Sequence, residues 1–182
     1  EKDEREAVET ITELIEYYKG IFTILSSCAA RQLEEVTFRR NTIPVQELFD
    51  AAGKYFRKVT KNRTEKVELI IEPMDAKVIG DVNQLRFLFE NLIDEALAVR
   101  EEGVIRLQAR KDNEYIRFLF TDTRREKSVT ELNQLFYPNL ARMTSGEKGE
   151  LRGTEYLICK QIIRDHDEFA GRRGCRINAE PA

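Results

Sequence analysis

The stretch "VIGDVNQLRFLFENLIDEALAVREEGVIRLQAR", residues 78–110, constrains the fold more than any other part of this chain. It reads as a strand, an Asp-capped helix, a Gly turn and a second strand. Asp81 stands directly before the apolar-periodic run Val82–Val99, where its carboxylate can accept from the first unpaired N–H groups of a helix. Phe87, Leu88, Asn91, Leu92 and Glu95 fall within one sector of that helix. Gly103 suits the turn that closes it.

The flanking segments fit the same plan. "EEVTFRRNTIPVQ" (34–46) predicts a short strand and then a turn, with Pro44 near a helix start. Val45 to Thr60 reads as an amphipathic helix with Val45, Leu48, Phe49, Ala52, Phe56 and Val59 inward. "KVELIIEP" (66–73) and "AKVIGD" (76–81) read as strands. "VIRLQAR" and "YIRFLFTD" form a hairpin turning at Asp112-Asn113. Residues 124–153 are charged and irregular, with a short helical piece near Val129–Phe136. "GTEYLICKQIIRDH" is a helix, and "CRINAEP" (175–181) is expected to be a last strand. Strands and helices in this order argue an α+β fold with the helices on one face of a sheet.

Residues 3–33 differ in character. Val8, Ile11, Ile15, Tyr18, Phe22, Leu25 and Ala29 recur at alternating steps of four and three, a seam that either packs along another helix or packs on the domain that follows. Leu14, Ile21 and Cys28 widen that face. The expected division is a dimerisation-type helix over residues 1–35 and a second domain over residues 36–182. The chain opens without Met inside a charged helical pattern, so it is expected to be a piece of a longer protein.

Composition narrows the function classes. The chain is 41% hydrophobic and 35% charged, with a net charge of −3. This is a globular balance and not a nucleic-acid-binding one. No apolar run approaches the roughly 20 residues of a membrane span. Cys28, Cys159 and Cys175 are odd in number and have no metal spacing, which predicts unpaired thiols in a reducing compartment.

The motifs resemble those of sensor histidine kinases, from the second dimerisation helix through the ATPase-like domain of the gyrase/Hsp90/histidine-kinase/MutL superfamily. That domain is a two-layer α/β sandwich. The family pattern G-D-x-x-R-L-x-Q-V-L-x-N-L-L-x-N-A appears as "GDVNQLRFLFENLIDEA". Gly80, Asp81, Leu85, Leu88, Asn91, Leu92 and Ala96 match. Glu95 replaces the second Asn, which holds magnesium in the family. In a second register "NLIDEA" is similar to the gyrase helix, which makes Asn91 the metal ligand and puts Phe87 where a catalytic Glu belongs.

The first glycine box, D-x-G-x-G-I, appears as "DTRREKS". Asp122 takes the adenine-binding position and Arg124 and Glu126 replace the glycines. Side chains there cost roughly 1–2 kcal/mol in backbone strain where the fold needs left-handed geometry. "LFYPN" resembles L-F-x-P-F, with Asn139 in place of Phe. The second box appears as "LRGTEYLICK", with Gly153 kept and Glu155 and Tyr156 replacing lid residues. At an effective dielectric of about 20, a carboxylate about 5 Å from a phosphate charge opposes binding by roughly 3 kcal/mol. The final helix matches the family's ending around His166.

The resemblance implies cytoplasmic bacterial signalling, either in a free protein or in the cytosolic part of a membrane-anchored sensor. The departures predict a pseudokinase acting through homodimerisation and contacts with other signalling proteins. Its vestigial ATP-site positions are Asn91, Glu95, Asp122 and Gly153, with no catalytic residue, no resident metal and no cofactor. The alternative is a divergent kinase that binds ATP-Mg and phosphorylates a histidine elsewhere, and a third reading is a module that binds nucleotide without turnover, as a structural switch. For single residues, His166 is expected to be structural or at the surface, Asn91 a satisfied helix residue or else a residual phosphate or metal contact, and Glu95 an ion-pair partner of an Arg or Lys such as Arg124 or Arg125, or else a metal ligand. Asp122 is either a solvated strand end or an adenine contact.

Overall fold

The computed structural model describes residues 38–99, 101–124, 127–137 and 154–181, together with residues 7, 8, 11, 12, 15, 18 and 22; of residues 154 and 155 only the backbone is described. The chain divides into two compact units. One comprises Glu1–Thr37 with Tyr137–Thr154, and the other Phe38–Phe136 with Glu155–Ala182.

In the first unit the described N-terminal positions are helical. Val8, Ile11, Ile15, Tyr18 and Phe22 of the predicted seam are all exposed. Leu25 lies outside the described residues.

The second unit contains β1 (Asn41–Pro44), α1 (Val45–Thr60), β2 (Val67–Ile71), β3 (Lys77–Gly80), α2 (Val82–Leu97), β4 (Gly103–Asp112), β5 (Tyr115–Asp122), α3 (Val129–Gln134) and α4 (Thr154–Phe169). β2, β4 and β5 form one sheet in that order, parallel between β2 and β4 and antiparallel between β4 and β5. β1 and β3 form a separate antiparallel ribbon.

Side-chain alternation sets the register. Leu107 stands opposite Phe120, and Ala109 opposite Phe118. With Val67, Leu69, Ile71 and Ile105 they turn one face of the sheet toward the core. A one-residue slip would send this whole set to the other face. The helices bury their stripes against the same core through Leu48, Phe49 and Phe56 of α1, Leu88, Phe89 and Ile93 of α2, and Cys159 and Ile162 of α4. The Phe49, Phe89 and Phe118 rings meet edge to face with centroids 5.4–6.3 Å apart. These geometries suit the ring quadrupoles and tie both helices to β5.

Three details depart from the sequence reading. Residues 175–181 form no strand. Asp167 Oδ1 accepts from the Gly174 and Cys175 amides, and the Tyr115 hydroxyl donates to Arg173 O. Gly171 and Gly174 take positive φ. The tail is thus turned and pinned by side chains before it can join a ladder. Val59 is 38% exposed and not inward, because it sits in the last turn of α1, beyond the buried Phe56. Pro44 ends β1 and is itself the residue before α1, so no separate turn intervenes.

Candidate functional site

Helix α2 carries the positions that the sequence singled out, and side chains hold it at both ends. At its N-terminus Asp81 Oδ1 accepts from the Asn83 and Gln84 amides at 2.9 and 3.2 Å. The cap satisfies two donors that the helix cannot. At its C-terminus Arg63 donates to Leu97 O and Val99 O at 2.6 and 2.7 Å. Arg124 Nη2 donates to Ala96 O. Cations on terminal carbonyls complement the helix dipole.

The same Arg124 determines the chemistry beside this end. Asp122 closes β5, and its carboxylate accepts Arg124 Nε at 2.8 Å and Nη2 at 2.7 Å. The Arg124 amide adds a third contact to Oδ1 at 3.1 Å, and Nη1 reaches Glu101 O at 3.3 Å. A bidentate guanidinium–carboxylate pair is among the strongest side-chain hydrogen-bonded pairs. The Arg124 side chain is 1% exposed and that of Asp122 21%. Gly103 makes room for it. Its φ is +146°, and a Cβ there would lie 2.6 Å from Arg124 Cγ. The glycine is required by both backbone and space.

Along the helix, Asn91 is 6% exposed and its Nδ2 donates to Phe87 O at 2.6 Å. Its amide is therefore engaged by its own helix. Glu95, one turn further on, is half-buried. Phe87 is 44% exposed, so this sector is not uniformly buried. On the neighbouring face the Tyr55 hydroxyl donates toward both oxygens of Asp94, at 2.9 and 2.8 Å. Burial, then the Asp94 hydrogen bond, pushes the Tyr55 phenol well above its ordinary range.

His166 is buried and not at the surface. It is 4% exposed, its Nε2 accepts from Asp81 N–H at 3.1 Å, and its Nδ1 faces Ile162 O at 2.8 Å. Burial holds its pKa below the usual histidine value, against smaller opposing contributions, first the Ile162 hydrogen bond. Gly80 is required for this approach, because a Cβ there would lie 2.8 Å from the imidazole.

The structure thus brings Asp122 to the C-terminal end of α2, with Asn91 and Glu95 on the helix itself. Arg124 pairs with Asp122, two residues away, and Arg125, the other arginine expected to pair with Glu95, lies outside the described residues. Gly153, Arg125 and Glu126 lie outside the described residues. Tyr156 packs edge-on to Phe136 at 5.5 Å. Sequence reasoning missed Arg63, Tyr55 and the bidentate use of Arg124. The only local signal was the Asp-x-Arg spacing. Among the described residues, no group of His, Cys, Asp and Glu side chains is placed to hold a metal, and no helix is long and apolar enough to cross a membrane. Neither Cys159 nor Cys175 is in a disulfide, and the buried Cys159 thiol donates toward Leu88 O at 3.7 Å.

Solved structures decide what this arrangement is similar to. The Acinetobacter baumannii histidine kinase AdeS superposes with a TM-score of 0.52 at 15% identity, covering 90% of this chain and 71% of that one. The fold is α+β and resembles the histidine-kinase catalytic domain. A nucleotide-free catalytic domain of the histidine kinase ThkA gives a TM-score of 0.56 at 18% identity, over 70% of this chain and 81% of that one. ThkA in complex with the response regulator TrrA gives 0.57 at 16% identity, over 80% of this chain and 40% of that one. No protein-family model and no curated protein sequence matches this chain.

Proposed function

We propose that this chain is a histidine-kinase-like signalling module that has given up ATP turnover and works by packing against partners. The observation that carries this reading is the Arg124 guanidinium on Asp122. In the family, that carboxylate is the one that recognises adenine. Here both of its oxygens accept from an internal cation, whose side chain is almost wholly buried. Adenine would have to displace a bidentate ion pair and leave a guanidinium without its carboxylate, a penalty of several kcal/mol for a buried charge. Asn91, turned onto Phe87 O, and Glu95, a carboxylate in place of an amide, support the same reading.

The partners we infer are a second copy of this chain, through Val8, Ile11, Ile15, Tyr18, Phe22 and Leu25, and response-regulator-like proteins of the kind that ThkA binds. The setting we infer is the bacterial cytoplasm. The test is thermal unfolding of the chain with and without millimolar ATP and magnesium. A ligand at 100 times its Kd stabilises by about 2.7 kcal/mol. The expected result is an unchanged midpoint, together with loss of dimers when Ile15 and Phe22 are made polar. A clear rise in the midpoint favours instead a divergent kinase that binds ATP-Mg.

A further inference from the structure

The chain comes into the second unit through Phe38, Arg39 and Arg40, and each of the three is held. The Phe38 ring stands edge-on to His166 at 4.9 Å and lies 5.9 Å from Phe169. Arg39 gives its backbone N–H to Asp81 Oδ2 at 2.9 Å. The Arg40 guanidinium lies over Gly171, where a Cβ would stand 2.9 Å from Cζ. Two of these contacts converge on one buried pair, Asp81 and His166, each 4% exposed. Asp81 Oδ1 starts α2 while Oδ2 fastens the incoming chain. One carboxylate therefore serves both the helix and the segment that leads into it.

The position of the His166 proton follows from its partners. Ile162 O can only accept, so Nδ1 carries the hydrogen. Nε2 must then present its lone pair to Asp81 N–H, 3.1 Å away. A second proton would set two N–H groups head to head. Among the groups around the ring, Asp81 from the α2 cap and Asp165 on its own helix favour the cation, and burial opposes it more strongly. The incoming segment presents an aromatic ring to the imidazole, while its two arginines engage Asp81 through a backbone amide and Gly171 through a guanidinium.

We propose that Asp81 and His166 form a proton-sensitive latch that couples the chain preceding residue 38 to helix α2. In the latched state His166 is neutral, Phe38 is seated and the first turn of α2 is capped. In the unlatched state His166 is an imidazolium, Phe38 and Arg39 are released, and that turn frays. The latch acts at the end of α2 opposite Arg124, so it does not depend on whether the chain ever meets a nucleotide.

Amide hydrogen exchange on the full chain at pH 7.5 and 5.5, corrected for intrinsic rates, tests this. His166 is the only histidine, so no other side chain of ordinary pKa titrates between these values. At pH 5.5, protection should fall several-fold, up to about tenfold, at Arg39, Asn83, Gln84 and Leu85 and stay constant in the β4–β5 pairs. Phe38→Ala should reproduce this pattern at pH 7.5. Phe38→Leu should do so more weakly, and serves if the alanine variant does not fold. His166→Gln, which keeps a neutral acceptor, should abolish the pH dependence. Unchanged protection, a loss spread evenly over the domain, a loss confined to Arg39, or a pH response that survives His166→Gln would each overturn the latch.

Discussion

At its N-terminus α2 is held by Asp81, whose carboxylate reaches amides two and three residues on. At its C-terminus it is held by guanidiniums 28 and 34 residues away in sequence. Both ends obey the same electrostatics, with negative charge against free N–H groups and positive charge against free carbonyls. They differ in what else the charges do. Asp81 keeps the local capping role that the Gly-Asp pair announces and adds a grip on Arg39. Arg124 caps the helix and at the same time takes up both oxygens of Asp122, the position proposed above as a vestigial adenine contact. The lesson is that one helix can be capped by its own neighbour at one end and, at the other, by a distant side chain that also occupies a strand-end carboxylate.

The largest expected effect comes from the N-terminal end. Asp81→Ala removes a buried carboxylate cap and leaves the amides of Asn83, Gln84 and Arg39 without their charged acceptor, and should cost about 3 kcal/mol by denaturant unfolding. Arg124→Ala should cost about 2 kcal/mol, because Asp122 and Ala96 O lose their guanidinium donors, although Ala96 O keeps the Val99 amide. If Asp81→Ala proved the milder of the two, the contrast between the two ends would be wrong.

Gly103→Ala should cost about 1–2 kcal/mol, through its positive φ and through the collision with Arg124. In the Arg124→Ala background only the backbone part should remain. A double-mutant cycle should therefore give a non-zero coupling, and additive costs would mean that the glycine and the arginine do not meet.

The smallest effect belongs to His166. Its folded pKa lies below the unfolded value of about 6.5, so the unfolded chain binds more protons as pH drops. Stability is full above about pH 6.5 and is lost as pH falls toward the folded pKa, by at most about 1.4 kcal/mol per pH unit. His166→Gln should flatten this slope between pH 6.5 and 5. Asp167, whose pKa is lowered first by the Gly174 amide, contributes stability that disappears only in the more acidic carboxylate range.

What was legible in the sequence was what is local or periodic. The Asp81 cap, the β4–β5 hairpin and the apolar alternation that faces Leu107 to Phe120 all follow from neighbours in the chain. The tail 175–181 misled because its alternation looks strand-like, while Asp167 and Tyr115, which pin it, are distant or belong to another element. At the candidate site, Asp122 and Asn91 were visible as positions but their partners were not. Nothing near Arg63 announces the carbonyls of Leu97 and Val99. Arg124 was recognised as an obstruction, but its bidentate hold on Asp122 depends on the bare Gly103 that three-dimensional packing brings beside it.

The central claim is that the Asp122 carboxylate belongs to Arg124. Side-chain NMR of the Arg124 Nε–H tests it most directly. An ion pair this buried predicts a slowly exchanging signal that stays in place when millimolar ATP and magnesium are added, and that vanishes in Arg124→Lys. A signal that already exchanges freely, or one that moves to the position of a free guanidinium on adding nucleotide, would contradict it.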